Sequence, residues 1–404
     1  MKDSIDFGSM EIPRLFRKLL IPTVLGMVFS AAFVITDGIF VGRGVGSDAL
    51  AAVNITAPLF LINTGVGLMF GVGASVVASI HLAHGKVKTA RINVTQAVVV
   101  SSLLLVAYSL AICLFAPGAA RLLGSSERLM PLVLEYMYWF VPFLPFSALL
   151  SSGMFFVRLD GAPNYAMLCN AVPAVINIAL DYVFIFLFGW GMFGAALATS
   201  LGYVVGAGMI LVYLSRRRNV IRFCRVKTSR RSLRLTRRNV GYMCRLGLST
   251  FLCEGAIAAM MFTGNYVFIR YLGEDGVAAF SIACYFFPII FMVYNAIGQS
   301  AQPILSYNFG AGNSARVRKA FRLALLTAVV AGLAFFGVTA LFSRWIVAMF
   351  IDSSCPAYAI AVRGLPLFAS GFVFFAVNIV SIGYFQSVER PRPAMAVTVH
   401  RRAG

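Results

Sequence analysis

Residues 19–41 read LLIPTVLGMVFSAAFVITDGIFV, a run of 23 residues that is apolar except for three hydroxyl residues and Asp37. About 20 mostly apolar residues are enough for a helix to cross the hydrocarbon core of a bilayer. The apolar core of a secretory signal is shorter and ends at a small-x-small cleavage site, which this run lacks. The run therefore predicts the first membrane span.

The rest of the 404-residue chain has the same character. Hydrophobic residues make up 60% of it and charged residues 12%, with a mean hydropathy of +0.86. Soluble domains are about 45–50% apolar and about 25% charged. This composition excludes a soluble enzyme of several domains and predicts an all-α polytopic membrane protein, because helices satisfy their own backbone hydrogen bonds in lipid.

Further apolar runs extend along the chain, separated by short polar connections, and they predict about ten transmembrane helices. We expect these near residues 14–42, 48–81, 92–116, 131–157, 164–188, 192–215, 241–271, 277–308, 318–342 and 358–388.

The net charge of +20 is explained largely by its placement. Basic residues alternate between loops, which predicts a cytoplasmic N-terminus by the positive-inside rule. The largest cluster, 11 of the 34 cationic residues, lies between Arg216 and Arg238 with no acid among them. We interpret it as a determinant of topology that links two halves, with an anionic-lipid or nucleic-acid surface as the alternative. We expect membrane lipids but no nucleic acid as partners.

The chain contains an internal repeat. GSDALAAV at 46–53 resembles GEDGVAAF at 273–280, and GVGASVVASIHLAHG at 71–85 resembles GQSAQPILSYNFGAG at 298–312, both with an offset of 227. Two copies of a six-helix unit are a design of secondary transporters. We expect an N-terminal lobe at 1–215, a basic cytoplasmic linker at 216–240 and a C-terminal lobe at 241–404. The second lobe is expected to be truncated and to lack a helix 11–12 pair; the alternative is a natural ten-helix protein.

Three carboxylates lie well inside the predicted spans: Asp37, Asp181 and Glu254. An acid at membrane depth is costly unless it is protonated, paired or bound to a cation. Asn177 and Asp181 share one face of helix 5 because they are four residues apart, and Thr199 on helix 6 adds a hydroxyl. With Asp37 these groups suit Na⁺ or a shared proton, although Asp37 and Asp181 could instead tie helices together by hydrogen bonds.

Glu254, on helix 7, is a candidate to bind a cationic substrate or to carry a proton; an interhelical hydrogen bond is the alternative. Apart from Arg363 near the outer end of helix 10, no chain of cationic residues is expected to line the span interiors, which disfavours anionic substrates. The seven cysteines form no CxxC pair, and GxxxxGK[ST] is absent. We therefore expect no structural metal, no disulfide framework, no ATP-driven pumping and no cofactor besides a coupling ion.

Three stretches resemble the bacterial branch of the multidrug and toxic compound extrusion (MATE) transporters: ITDGIFVGRGVGSDALAAVNITAP at 35–58, NIALDYVFIFLFGWGMFGAALATS at 177–200 and GQSAQPILSYNFGAG at 298–312. The resemblance implies a two-lobed antiporter, not an enzyme, that expels organic, often cationic or amphipathic compounds in exchange for H⁺ or Na⁺. It assigns the cation site to Asp37, Asn177, Asp181 and Thr199, and the helix 7 acid to Glu254. The helix 10 aspartate of some relatives has no counterpart here, and Asn378 is the nearest polar residue.

The sequence thus predicts an exporter of small drug-like molecules in the cytoplasmic (inner) membrane that works by alternating access. A lipid-linked precursor flippase and a non-transporting truncated membrane remnant are the alternatives. The substrate, the choice between H⁺ and Na⁺ and the oligomeric state stay open.

Overall fold

A computed structural model describes residues 5–226, 229–349, 351 and 356–399, and every regular element in these ranges is a helix. The α-helices are α1 (Ile12–Gly44), α2 (Ser47–Ala83), α3 (Val87–Leu114), α4 (Ala116–Leu122), α5 (Met130–Phe140), α6 (Leu144–Leu159), α7 (Pro163–Asp181), α8 (Gly191–Ser215), α9 (Arg230–Gly310), α10 (Ser314–Leu341), α11 (Ser343–Ala348), α12 (Pro356–Ser370), α13 (Phe372–Ser387) and α14 (Pro391–Val399). A 3-10 turn (Val141–Phe143) joins α5 to α6, and a π-helix (Tyr182–Leu187) follows α7.

The predicted all-helical membrane fold is confirmed. Among the described residues, eight helical stretches are long and apolar enough to cross a membrane. The 81-residue helix α9 covers the predicted helices 7 and 8. It is broken at Gly273, whose φ of 66° and ψ of −158° lie outside the helical region and favour glycine. The two parts of α9 and the eight other stretches account for the ten predicted passages.

The helix boundaries differ from the predicted ones where polar residues or prolines intervene. Helix α3 begins at Val87 rather than near residue 92, because its first turn is basic but still helical. The span predicted at 131–157 is divided by the 3-10 turn, where Pro142 and Pro145 each lack a backbone N–H donor.

The helices form two bundles, α1–α8 and α9–α14. An early part of the first helix of each bundle is buried in the core of the other bundle. Phe16 and Leu19 at the start of α1 are buried among core residues of the second bundle. Met243 and Leu246 on α9 are buried in the core of the first bundle. These pairs are separated by 227 residues, which is the offset of the sequence repeat. The exchange is therefore built into each copy of the repeat.

A close-packed seam joins the bundles at the end that carries Lys86, Arg91 and Arg316, which we call the basic end. A Cβ atom on Gly73 of α2 would clash with the Met243 carbonyl oxygen. One on Gly247 of α9 would clash with the Met69 carbonyl oxygen. Such contacts require glycine, so the backbones of α2 and α9 meet directly in this seam.

The start of the expected linker folds back onto the first bundle. The Ile221 amide donates a hydrogen bond to Asp160 (2.6 Å), and Arg91 Nε donates one to the Val220 carbonyl (2.8 Å). Lys227 lies outside the described residues. Helix α9 begins at Arg230, earlier than the expected span at 241, and most arginines between residues 216 and 238 are exposed.

Candidate functional site

Four polar residues predicted as a cation site come together inside the first bundle. Helices α1, α7 and α8 supply Asp37, the pair Asn177 and Asp181, and Thr199, respectively. Thr199 Oγ1 donates a hydrogen bond of 3.0 Å to Asp37 Oδ1. Asp181 interacts electrostatically with both Asp37 and Asn177. The structure therefore places two carboxyls, an amide and a hydroxyl around one point, which we call the acidic cluster.

The acidic cluster contains buried polar atoms without partners. Asn177 and Asp181 are both 0% exposed, and neither amide atom of Asn177 nor either carboxyl oxygen of Asp181 has a hydrogen-bond partner among the described residues. Buried polar groups are almost always satisfied, and an unsatisfied charge is especially costly. Oxygen donors of this kind suit a hard cation, and two neighbouring carboxyls can equally share a proton.

The backbone changes its winding beside the acidic cluster. Helix α7 ends at Asp181, and the next six residues form a π-helix. Single π-turns are rare and occur often at functional sites, because the wider turn displaces the side chains around it. The change of winding begins directly after the buried carboxyl.

Two tyrosines near the acidic cluster were missed by the sequence analysis. Tyr136 on α5 interacts electrostatically with Asp37 and Asp181, and Tyr203 on α8 interacts with Asp37. Tyr203 lies one helical turn after Thr199, so the spacing could have indicated it. No sequence signal indicates Tyr136, because its neighbour Glu135 is the more conspicuous residue and is exposed.

A large cavity of about 650 Å³ lies between the two bundles. Its wall combines aromatic and aliphatic side chains of both bundles, including Phe60, Met154 and Phe287, with a few polar groups such as Asn170. Binding sites for small molecules have this mainly apolar lining with few polar groups. We call it the main cavity.

Glu254 lies away from the acidic cluster. It is partly buried on α9 and lines both the main cavity and an adjoining smaller cavity of about 60 Å³. Among the described residues that line these cavities, Glu254 is the one charged side chain. Asn378 on α13 lines neither of them.

Arg158 is a buried cation that the sequence analysis did not identify. Arg363 is exposed, whereas Arg158, at the end of α6, is 3% exposed between the bundles. Arg158 Nη1 donates a hydrogen bond of 2.7 Å to Gln299 Oε1, and its guanidinium lies 5.0 Å from the centre of the Phe155 ring. No local sequence signal indicates this burial, because the hydrogen-bond partner of Arg158 lies 141 residues away in the other bundle.

The amino-acid sequence of the chain is similar to the sequences of two kinds of transporter. The chain is 27% identical over 337 residues to an FAD transporter of Shewanella oneidensis, covering 80% of this chain and 71% of that protein. It is 25% identical over 312 residues to the multidrug export protein MepA of Staphylococcus saprophyticus, covering 77% and 67% of the two chains.

Solved structures share the fold. A MATE protein in complex with MaD5 superimposes with a TM-score of 0.89 at 22% identity, over 99% of this chain and 89% of that one. An outward-facing multidrug resistance MATE family transporter of the MOP superfamily gives 0.85 at 24% identity, over 97% and 86%. The sequence profile of the MatE family matches residues 22–183 and 253–401. The chain belongs to the MatE family of membrane transporters.

Proposed function

We propose that this protein is a cation-coupled antiporter that exports organic, often cationic or amphipathic compounds across the cytoplasmic membrane by alternating access. One observation carries the proposal: three helices each contribute to both the acidic cluster and the main cavity, about one turn apart. The paired positions are Phe33 and Asp37 on α1, Pro173 and Asn177 on α7, and Tyr203 and Thr199 on α8.

Because α1, α7 and α8 carry residues of both the acidic cluster and the main cavity, a movement of these helices changes both sites together. A proton or Na⁺ that enters the acidic cluster binds the free oxygen atoms of Asn177 and Asp181 and draws α1, α7 and α8 together. The same movement shifts the cavity residues one turn away. Because linkage is reciprocal, an ion that disfavours the bound compound is itself disfavoured by that compound, which is the requirement for exchange.

The placement of the basic residues supports transport from the cytoplasm to the outside. By the positive-inside rule the basic end faces the cytoplasm together with the N-terminus. The closed seam of α2 and α9 then separates the main cavity from the cytoplasm, and the compound leaves toward the outside. Inward movement of the ion restores the cytoplasm-facing state.

The cavity chemistry favours cationic or neutral amphipathic compounds. Glu254 supplies one negative charge, and no lysine or arginine occurs among the described lining residues. FAD carries two phosphates, and a lipid-linked precursor carries a pyrophosphate, so each would need cationic partners in the wall. The multidrug exporters among the relatives are therefore the better guide to the substrate.

Flux in proteoliposomes tests the proposal. We expect the full chain to move a fluorescent organic cation against its gradient when driven by either a proton or a sodium gradient, and Asp37→Asn and Asp181→Asn each to abolish this coupled flux. Asp48→Asn is the matched control, because Asp48 pairs with Arg128 at the surface. Equal flux in all three variants and the unmodified chain would refute the assignment.

A further inference from the structure

We infer that the smaller cavity is a donor-lined subsite, which holds the hydrogen-bond-accepting head group of a transported amphipathic amine. The inference rests on the proposed function of the main cavity. The two cavities are continuous, since six residues line both: Leu68, Phe155, Glu254, Phe291, Asn295 and Gln299. A compound whose apolar body occupies the main cavity can therefore extend a compact head into the smaller one.

Arg158 fixes the orientation of the first donor. A guanidinium has only N–H donors, so the atom of Gln299 that it contacts must be the carbonyl oxygen. The contact is the 2.7 Å bond to Gln299 Oε1. Gln299 Nε2 is consequently left to donate to other partners, and Gln299 lines both cavities.

Gln302 supplies the second donor. Ser75 Oγ donates a hydrogen bond of 3.3 Å to Gln302 Oε1. Gln302 is 3% exposed and lines the smaller cavity, yet its Nε2 has no hydrogen-bond partner among the described residues. A buried donor without a partner is costly, so an acceptor atom that enters the cavity gains the hydrogen bond that the protein leaves unmade.

Two further polar side chains, Gln386 and Glu254, line the smaller cavity. Gln386 Nε2 donates to the Leu246 carbonyl (3.1 Å) and to Thr250 Oγ1 (2.8 Å). Glu254 accepts hydrogen bonds when ionised and attracts an amine. The unmet Gln302 donor, the Gln299 amide and the carboxylate together select a compound that carries both an amine and a carbonyl or carboxylate oxygen.

The donors that orient Gln299 and Gln302 come from the opposite bundle. Arg158 and Ser75 belong to the first bundle, and Ser75 and Gln302 are separated by 227 residues, the offset of the repeat. Because Ser75 and Gln302 are equivalent positions of the two copies and contact each other, the pair lies at the pseudo-twofold axis that relates the copies. Separation of the bundles at the basic end withdraws both orienting donors, so the subsite exists only while the seam is closed.

A pair of matched probes tests the subsite. The first is 3-(dimethylamino)-1-(naphthalen-2-yl)propan-1-one, and the second has a methylene group in place of its carbonyl. We expect the purified full chain to bind the ketone about five-fold more tightly, the effect of one net hydrogen bond. Gln302→Met should reduce the ratio to about one by weakening ketone binding alone. Gln302→Leu, which also lacks the N–H donor and adds no charge or O–H donor, should do the same and serves if the methionine variant is not monodisperse.

Gln96→Met is the control, because Gln96 lies on α3 and contacts Thr236 outside the cavities. It should retain the five-fold preference. Equal affinity of the unmodified chain for both probes, or an unchanged preference in both Gln302 variants, would overturn the subsite while leaving the proposed function intact. Failure of the unmodified chain to bind or transport either probe would overturn both.

Discussion

Hydrogen bonding divides the buried carboxylates of this protein into two kinds. Asp160 accepts hydrogen bonds from Tyr213 Oη (2.8 Å) and the Ile221 amide (2.6 Å). Asp181 is equally enclosed, but neither of its oxygens has a hydrogen-bond partner among the described residues. A satisfied buried carboxylate stabilises the fold, whereas an unsatisfied one lowers stability unless it binds a proton or an ion.

This difference predicts opposite effects of the same substitution. Asp160→Asn should lower the melting temperature in detergent, because the amide replaces a charged acceptor that holds the linker. Asp181→Asn should leave the melting temperature unchanged or raise it, because it removes a charge without partners. Scanning fluorimetry of the two purified variants compares them directly. A larger loss of stability in Asp181→Asn would contradict this division.

Tyr213→Phe removes the single hydrogen bond by which α8 contacts Asp160. Bonds to charged acceptors contribute about 1.5–3 kcal/mol, so we expect a free-energy loss of this size. Denaturant titration in detergent measures it. Tyr138→Phe is the matched control, since Tyr138 is 48% exposed, and its stability should match that of the unmodified chain. Equal stability of both variants would show that the bond between Tyr213 and Asp160 does not stabilise the fold.

At the scale of helices, the seam depends on the absence of side chains at two glycines. Gly73→Ala would force a methyl group against the Met243 carbonyl oxygen, a backbone atom that cannot rotate away. We expect the bundles to separate at the basic end. Spin-label distances between α2 and α9 at this end should lengthen and broaden. Gly208→Ala has open space around it and should leave the distances unchanged; equal distances in all three proteins would contradict the seam.

Arg316 of α10 donates several of the hydrogen bonds that hold the N-terminal segment, and Asn308 of α9 donates another to the Phe7 carbonyl. Arg316 Nη2 donates to the carbonyls of Phe7 (3.1 Å) and Met10 (2.6 Å), and Nε donates to Asn308 Oδ1 (2.8 Å). Lysine cannot reproduce this planar set of donors. Arg316→Lys should therefore speed proteolysis near residue 10 by several-fold, whereas the exposed Arg318→Lys should not. Equal cleavage rates would show that charge alone anchors the segment.

The sequence predicts a feature of this fold well when the residues that form it are close together along the chain. The apolar runs predict ten passages, and the spacing of Asn177 and Asp181 places both on one face, because these signals are local. The burial of Arg158 and the position of Tyr136 depend on packing between distant helices, which no local pattern records. The π-helix after Asp181 likewise has no signal in residue type or spacing.

At the scale of the whole molecule, the repeat organises both the packing and the proposed mechanism. The offset of 227 relates Phe16 to Met243, Leu19 to Leu246 and Ser75 to Gln302. The first two pairs place an early part of each copy's first helix in the core of the other bundle, and the third pair lies in contact between the bundles. Two bundles that exchange helices in this way can rock about a shared axis, as alternating access requires.

The central claim is that the acidic cluster and the main cavity are energetically coupled. The most direct test is the equilibrium affinity of the purified full chain for a fluorescent organic cation, titrated separately with Na⁺ at fixed pH and with pH at fixed Na⁺. We predict that one ion weakens binding by about 5- to 150-fold, that Glu254→Gln retains this dependence, and that the double variant Asp37→Asn/Asp181→Asn loses it. An unchanged ion dependence in the double variant would contradict the account.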